Sequence, residues 1–386
     1  MKCWLGTWAA SPAAPVYFVP QEIMATPTPL AGTVRHRLRL SVGGTRLQLR
    51  FSNETDNQAL RVGGASIGLP DGSDGIQPAS IRRVTFAGQQ GIVIPPGAPA
   101  FSDPLDLAVA PLGEVVVSAY FPQEFTPARS EGVHKALHVP AADSVMDKDL
   151  PAPLRIAVRP TVTAIAVEVE QERSPGAIVC LGDSLTDGAG AQSAEFRSWT
   201  DILARRLRER DGDNAQAVVN AGIGGNQLVG ALIGPPALAR LDRDVFATPG
   251  IRHLVVFEGI NDIGAGGRTN IEGITWPLAT TAGLIAGYQQ ILVRARARGV
   301  KVIGSTLLPF AGSLFFLDEK EVVRQEVNQW IRTSGAFEQV IDFEAALRDP
   351  KDASRLAAEF DSGDCMHPNT AGQRALGAAV NLELFK

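Results

Sequence analysis

The chain has 386 residues, enough for two domains by the usual size of a folding unit. Its hydrophobic content of 45% and charged content of 20% are those of a globular protein, and no apolar run approaches the roughly 18 residues that a membrane span needs. A formal net charge of −5 argues against nucleic acid as the main partner, because phosphate binding calls for a basic field, and no basic amphipathic segment points to a membrane surface.

The opening Met1-Lys2-Cys3-Trp4-Leu5-Gly6-Thr7-Trp8 has no apolar stretch of the kind that directs export. The expectation is a cytoplasmic protein, or a secreted or periplasmic one whose leader has been trimmed. Three cysteines (Cys3, Cys180, Cys365) are too few for a disulfide framework, and their spacing offers no zinc pattern.

Up to about residue 172 the pattern is β. Val34, His36, Leu38 and Leu40 alternate with Arg35, Arg37 and Arg39, the period of a half-buried strand. Gly43-Gly44 reads as a turn, and Leu47, Leu49 and Phe51 alternate again, so the pair reads as a hairpin. Short strand-like runs follow at 80–86, 91–94, 114–121 and 161–169, separated by stretches such as Pro95-Pro96-Gly97. No long helical period appears. The expectation is an all-β sandwich or jelly-roll-like domain over 1–172. Arg35, Arg37, Arg39, Arg46 and Arg50 read as a solvated sheet face, with binding of an acidic polysaccharide as the alternative.

Glu170-Gln171-Glu172-Arg173-Ser174-Pro175 is a polar break, after which the pattern changes. Apolar runs at 177–181, 217–219, 253–257, 300–303 and 340–341 alternate with helical periods. One helix carries Trp199, Ile202, Leu203 and Leu207 on a face, another Leu284, Tyr288, Leu292 and Ala295 before Gly299, and a third Val323, Val327, Trp330 and Ile331. This predicts a three-layer α/β/α domain over 173–386, built on a parallel sheet. Sites in such sheets lie beyond the carboxyl ends of the strands.

Four short motifs carry chemistry: Gly182-Asp183-Ser184, Gly224-Gly225-Asn226, Gly259-Ile260-Asn261-Asp262 and Asp364-Cys365-Met366-His367-Pro368. Ser184 follows the first parallel strand at a tight turn and is a candidate nucleophile, provided a base takes its proton. The G-x-S-x-G elbow is not met, since Thr186 stands at its last position. His367 is the candidate base. Asp364, three residues earlier, orients the ring and stabilises the imidazolium, with Asp361 as a weaker competitor. The Ser184 and Gly225 amides and the Asn261 side chain are candidate donors to a developing oxyanion. Asp262 reads as a support for its loop or a helix cap rather than a chemical group. A dinucleotide loop at Gly222-Ile223-Gly224-Gly225 fails because Gln227 occupies the last glycine position. Cys180 and Cys365 lie beside the motifs and read as small apolar residues rather than nucleophiles.

This constellation resembles the SGNH, or GDSL-type, hydrolase family over about residues 176–386. Ser184 matches its nucleophile, Gly225 and Asn261 its glycine and asparagine donors, and Asp364 and His367 its Asp-x-x-His-Pro block. The opening Trp4–Pro12 and the β half also look like a subfamily of arylesterase- or acylhydrolase-like proteins associated with plant polysaccharide breakdown. The resemblance implies a serine carboxylic-ester hydrolase with no metal or cofactor, acting on short-chain acyl or aryl esters, acetylated carbohydrates included. Alternatives are a lysophospholipase or thioesterase, and a carbohydrate-binding protein with an inactive hydrolase half. His134 and His138, and the phenylalanines of the 307–317 stretch, are further residues that could reach substrate, the latter as an acyl or aryl pocket or a lid, with packing against the β domain as the alternative. Oligomeric state is not legible.

Overall fold

The computed structural model describes residues 1–16, 27–128, 130, 133–170, 174–192, 198–269 and 275–386. The chain divides into two compact units, Met1–Pro175 and Gly176–Lys386. Gln171, Glu172 and Arg173 of the polar break lie outside the described residues.

The first unit holds two main antiparallel sheets. One runs Lys2–Ala9, Val162–Glu170, Gly44–Ser52, with Pro99–Phe101 and Leu105–Val109 both pairing along the outer edge of Gly44–Ser52. The other runs Leu154–Ala157, Lys135–Pro140, Leu30–Arg39, Glu114–Phe125, Gly64–Gly68, Arg82–Val84. Leu38, Leu47, Leu49, Phe51, Val115 and Ile165 are fully buried. Val34, Leu38, Val117 and Phe121 of one sheet and Val162 of the other line one interior space, the apolar layer of a sandwich.

The expected hairpin does not form. Leu30–Arg39 and Gly44–Ser52 belong to different sheets, and the chain arches between them. The connection is held from outside itself: Leu40 N–H donates to Gly113 O at 2.9 Å, Ser41 N–H to Thr7 O at 3.1 Å, and Val42 N–H to Thr7 Oγ1 at 2.9 Å. Alternation reports which face of a strand is buried and not which strand lies beside it. Two strands that send Leu38 and Leu47 into the same interior satisfy the pattern equally well from opposite sheets.

The arginine stripe is thereby divided. Arg35, Arg37 and Arg39 stand on one sheet, Arg46 and Arg50 on the other. Arg35 is not solvated at all: it is buried, and donates to Ser118 Oγ at 2.8 Å and to Asp147 O at 2.6 Å. Arg37 and Arg39 share Glu114, Arg46 bridges Asp106 and Glu168, and Arg50 pairs with Glu54. His138 sits on the strand Lys135–Pro140, with its ring 2.8 Å from Ala31 O, and His134 is buried just before that strand.

The second unit is a five-stranded parallel sheet in the order Ala217–Gly222, Ala177–Gly182, Ile251–Phe257, Lys301–Ser305, Gln339–Ile341. Its strands read as near-continuous apolar runs because both faces are covered. Ile178, Val179, Leu181, Leu254 and Val255 are fully buried, and each such side chain contributes about 1.5–3 kcal/mol through burial. The helix Trp199–Asp211 packs with Thr370–Ala379, and Thr281–Arg296 packs with Asp318–Thr333. Asp318–Thr333 buries Val327 and Ile331 as predicted, but Arg324 and Asn328 share that face and bond to Glu344 at 2.8 and 3.0 Å.

The second strand lies on one side of the first and the third on the other. The direction of winding therefore reverses at Ala177–Gly182, the place where sheets of this kind form a crevice beyond the carboxyl end of the strand. Among the described residues no helix is long and apolar enough to cross a membrane.

Candidate active site

Three adjacent strands deliver three of the four motifs to that crevice. Gly182 ends the central strand and is followed by Asp183 and Ser184. Gly222 ends its neighbour on one side, ahead of Gly225, and Phe257 ends its neighbour on the other, ahead of Asn261. The register aligns Gly182 with Gly222 and with Phe257, so the three loops start level.

Ser184 opens a single helical turn, Ser184–Asp187, capped by Asp183, whose Oδ1 accepts the Leu185 N–H at 2.8 Å. The His367 loop reaches this turn from the far end of the sequence. Ser184 Oγ lies 2.8 Å from His367 Nε2, and His367 Nδ1 lies 2.6 Å from Asp364 Oδ2. With the ring proton on Nδ1, donated to the carboxylate, Nε2 is left to accept the serine hydroxyl.

Asp364 Oδ1 also accepts the Met366 and His367 N–H groups at 3.0 and 2.8 Å. Burial works against the Asp364 charge, but the His367 ring and the two amides outweigh it and hold the carboxyl well below the usual range. Asp361 faces elsewhere. Its Oδ1 accepts the Gly363 and Cys365 N–H groups at 2.9 and 3.0 Å, which shapes the loop, and Cys365 takes a left-handed φ of 61° within it. Asn369 then caps the helix Thr370–Ala379 through Gly372 N–H at 3.0 Å.

The proposed oxyanion donors come from the same three loops. Gly225 has a φ of 72°, and a Cβ there would collide with the Ile233 side chain, so the position requires glycine. Asn261 Nδ2 donates to Asn226 O at 3.0 Å and to Asp183 Oδ2 at 3.2 Å. Its amide thus touches the sequence neighbours of both Gly225 and Ser184. Asp262 accepts three consecutive amides, Leu228 at 2.6 Å, Val229 at 3.0 Å and Gly230 at 3.1 Å, which pins the loop that follows Gly225.

Several further residues take part: Asn226 and Asp183 lie inside the motifs, whereas Gln227 and Glu258 carry no motif signal. Asn226 is fully buried, and its Nδ2 donates to Ile233 O and Pro235 O at 2.8 and 2.9 Å. Gln227 donates to Asn261 O at 3.1 Å. Glu258 is buried between strand and donor loop, and burial raises its pKa well above the ordinary carboxylate value. Asp183, also buried, has a pKa raised to about 7 by the same cause. A charged residue directly after an apolar strand, as in Phe257-Glu258, was the one available sign.

Residues 180–375 match the family model of the GDSL-like lipase/acylhydrolase family. The chain belongs to that family. As a GDSL-like, or SGNH, hydrolase it is similar to solved structures over about half of its length. An acetylxylan esterase from Geobacillus stearothermophilus is 20% identical over 53% of this chain and 92% of its own, with a TM-score of 0.41. A GDSL-like lipase from Bacteroides thetaiotaomicron is 16% identical over 55% of this chain and 87% of its own, with a TM-score of 0.40. An α/β hydrolase from the metagenome of Lake Arreo is 19% identical over 53% of this chain and 92% of its own, also at 0.40. No curated protein matches.

The two neighbouring thiols sit apart from this chemistry. Cys180 is buried within its strand, and burial pushes its pKa well up; burial raises that of Cys365 too. The three phenylalanines of the 307–317 stretch differ in their surroundings. Phe310 is fully buried and packs edge-on against Phe316 at 5.4 Å, while the Arg268 guanidinium covers Phe315 at 4.5 Å.

Proposed function

We propose that this GDSL-like hydrolase is a serine carboxylic-ester hydrolase that works through an acyl-enzyme. Ser184 Oγ attacks the ester carbonyl carbon as His367 Nε2 takes its proton. The Ser184 N–H, the Gly225 N–H and the Asn261 amide hold the negative charge that develops on the carbonyl oxygen. His367 returns the proton to the leaving alcohol, and the carbonyl re-forms as the acyl-enzyme. Water then attacks with His367 again as base, which releases the acid and restores Ser184.

The observation that carries this reading is the unbroken chain Ser184–His367–Asp364, at 2.8 and 2.6 Å. Among the described residues no protein acceptor takes the Ser184 or Gly225 N–H, which is compatible with the proposed role of both as donors. Short-chain acyl or aryl esters, acetyl groups on sugars included, are the proposed substrates. Support for them is the resemblance of Trp4–Pro12 and of the β unit to acylhydrolase-like proteins of polysaccharide breakdown.

The test is hydrolysis of p-nitrophenyl acetate, butyrate and octanoate by the parent and by Ser184→Ala. Turnover of acetate or butyrate that disappears with the serine supports the proposal. A preference for octanoate moves the substrate to the lysophospholipase or thioesterase class. A folded parent inactive on all three, but able to bind glycans, favours the carbohydrate-binding alternative.

A further inference from the structure

Among the described residues of the second unit, Arg240 and Arg324 are fully buried arginines, and the reaction as proposed does not use Arg240. It ends the short helix Ala237–Arg240, where the chain passes into a widened helical turn, Leu241–Phe246. Such π-type turns are frequent near functional sites, and Arg240 is the residue that leads into this one.

The guanidinium reaches every strand end that feeds the crevice. Nη2 donates to Gly182 O at 2.9 Å, Nη1 to Ala221 O at 2.7 Å and Nε to Asn226 Oδ1 at 2.8 Å. Nη2 also lies 3.5 Å from Glu258 Oε2. From its own segment Asp244 supports it, with Oδ2 3.1 Å from Nη1.

The spacing of these partners is the informative point. Gly182 stands two residues before Ser184, Asn226 one residue after Gly225, and Glu258 three residues before Asn261. The planar guanidinium fork therefore touches each of the three loops within three residues of its oxyanion donor. Resting on the proposed function above, we infer that Arg240 is a positioning residue that sets the mutual spacing of the three oxyanion donors.

A fixed fork can hold three loops in one geometry, which a flexible ammonium cannot. Misplacing catalytic groups by about 1 Å costs about 100-fold in rate. The interaction strengthens only as the oxyanion forms, so its loss falls on kcat and spares substrate binding.

The experiment compares the parent, Ser184→Ala and Arg240→Lys, the last keeping the charge and losing the fork. Folding is followed by circular dichroism, kcat and KM with p-nitrophenyl acetate, and the inhibition constant with phenylboronic acid, which forms a tetrahedral adduct on a nucleophilic serine. The expected result is a folded Arg240→Lys with kcat lowered about 100-fold, KM within about threefold of the parent, and boronate inhibition weakened by a factor close to that in kcat. A merely structural role would not move the boronate constant in step with kcat. A folded variant with parental kcat, or a lowered kcat with unchanged boronate affinity, overturns the inference while leaving the serine mechanism standing. Absence of Ser184-dependent turnover in the parent overturns both. Should Arg240→Lys not fold, Asn226→Ala is compared with Asn226→Asp: both lose the donations to Ile233 O and Pro235 O, only the first loses the acceptor facing the guanidinium, and the difference between them carries the same outcomes.

Discussion

Asn261 Nδ2 and Asp183 Oδ2 are 3.2 Å apart, which joins the proposed side-chain oxyanion donor to the residue that caps the nucleophile's helical turn. The amide is thus held by protein on two sides before any substrate arrives, since Asn226 O accepts from the same nitrogen. Pre-orientation of this kind makes a neutral donor effective. Asn261→Ala is expected to lower kcat for p-nitrophenyl acetate by about 10²–10³-fold with little change in KM. Asn261→Asp is expected to fall further, and more so as pH rises, because an ionised carboxylate there would repel the oxyanion. Steady-state kinetics of both variants at pH 6 and pH 8.5 check this.

Asp364 contributes in two measurable ways. As the acid that fixes the His367 tautomer, its replacement by Asn is expected to reduce kcat about 10⁴-fold. Its folded-state pKa lies below that of the unfolded chain, so its stabilising contribution is present above the ordinary carboxylate pKa and is lost as pH falls below it. The stability gap between parent and Asp364→Asn should therefore be full at pH 7 and shrink below about pH 4. Urea unfolding across that range measures it.

Glu258 gives the opposite sign. Burial makes the folded protein hold the Glu258 proton at pH values where the unfolded chain has released it. Stability from this group is present below the unfolded pKa of about 4.3 and declines as pH rises toward the folded value. Glutamine titrates in neither state. Glu258→Gln should thus be close to the parent in relative stability near pH 4 and gain on it steadily toward pH 8. A difference independent of pH would show that the buried carboxyl is not the cause.

The sequence carried most of the site because its parts are short motifs with strong local chemistry. Asp364 and His367 lie three apart on one loop, and the structure closes them to 2.6 Å through the loop's own hydrogen bonds. The five parallel strands were legible from their apolar runs, since full burial leaves no alternation to misread. Partner choice in the β unit was not, because Leu38 and Leu47 satisfy the same period from two different sheets. Arg240 and Arg324 escaped notice for a related reason. An arginine on a helix reads as a solvated face, and only the fold shows that its fork is spent on carbonyls and carboxylates in the interior.

Glu344 anchors the second of these buried networks, away from the donor loops. Arg324 Nη1 and Asn328 Nδ2 bond to it at 2.8 and 3.0 Å, and Arg332 joins from the same helix. Glu344→Ala leaves the buried Arg324 cation with Glu321 as its remaining carboxylate and is expected to destabilise the protein by about 1.5–3 kcal/mol. Activity per folded molecule should stay near parental at a temperature where the variant remains native. Chemical denaturation paired with active-site titration separates the two effects.

The pairing of Lys2–Ala9 with Val162–Glu170 bears on how the protein is made. Lys2–Ala9 is synthesised before the other strands of this unit and is the last of them to find a neighbour, because about 150 residues separate it from Val162–Glu170. Until then Leu5, buried at 1% exposure in the finished sheet, stays open to the surrounding solution. Nascent chains halted before residue 162 should accordingly engage chaperones that bind extended apolar segments, and release should coincide with the appearance of Val162–Glu170.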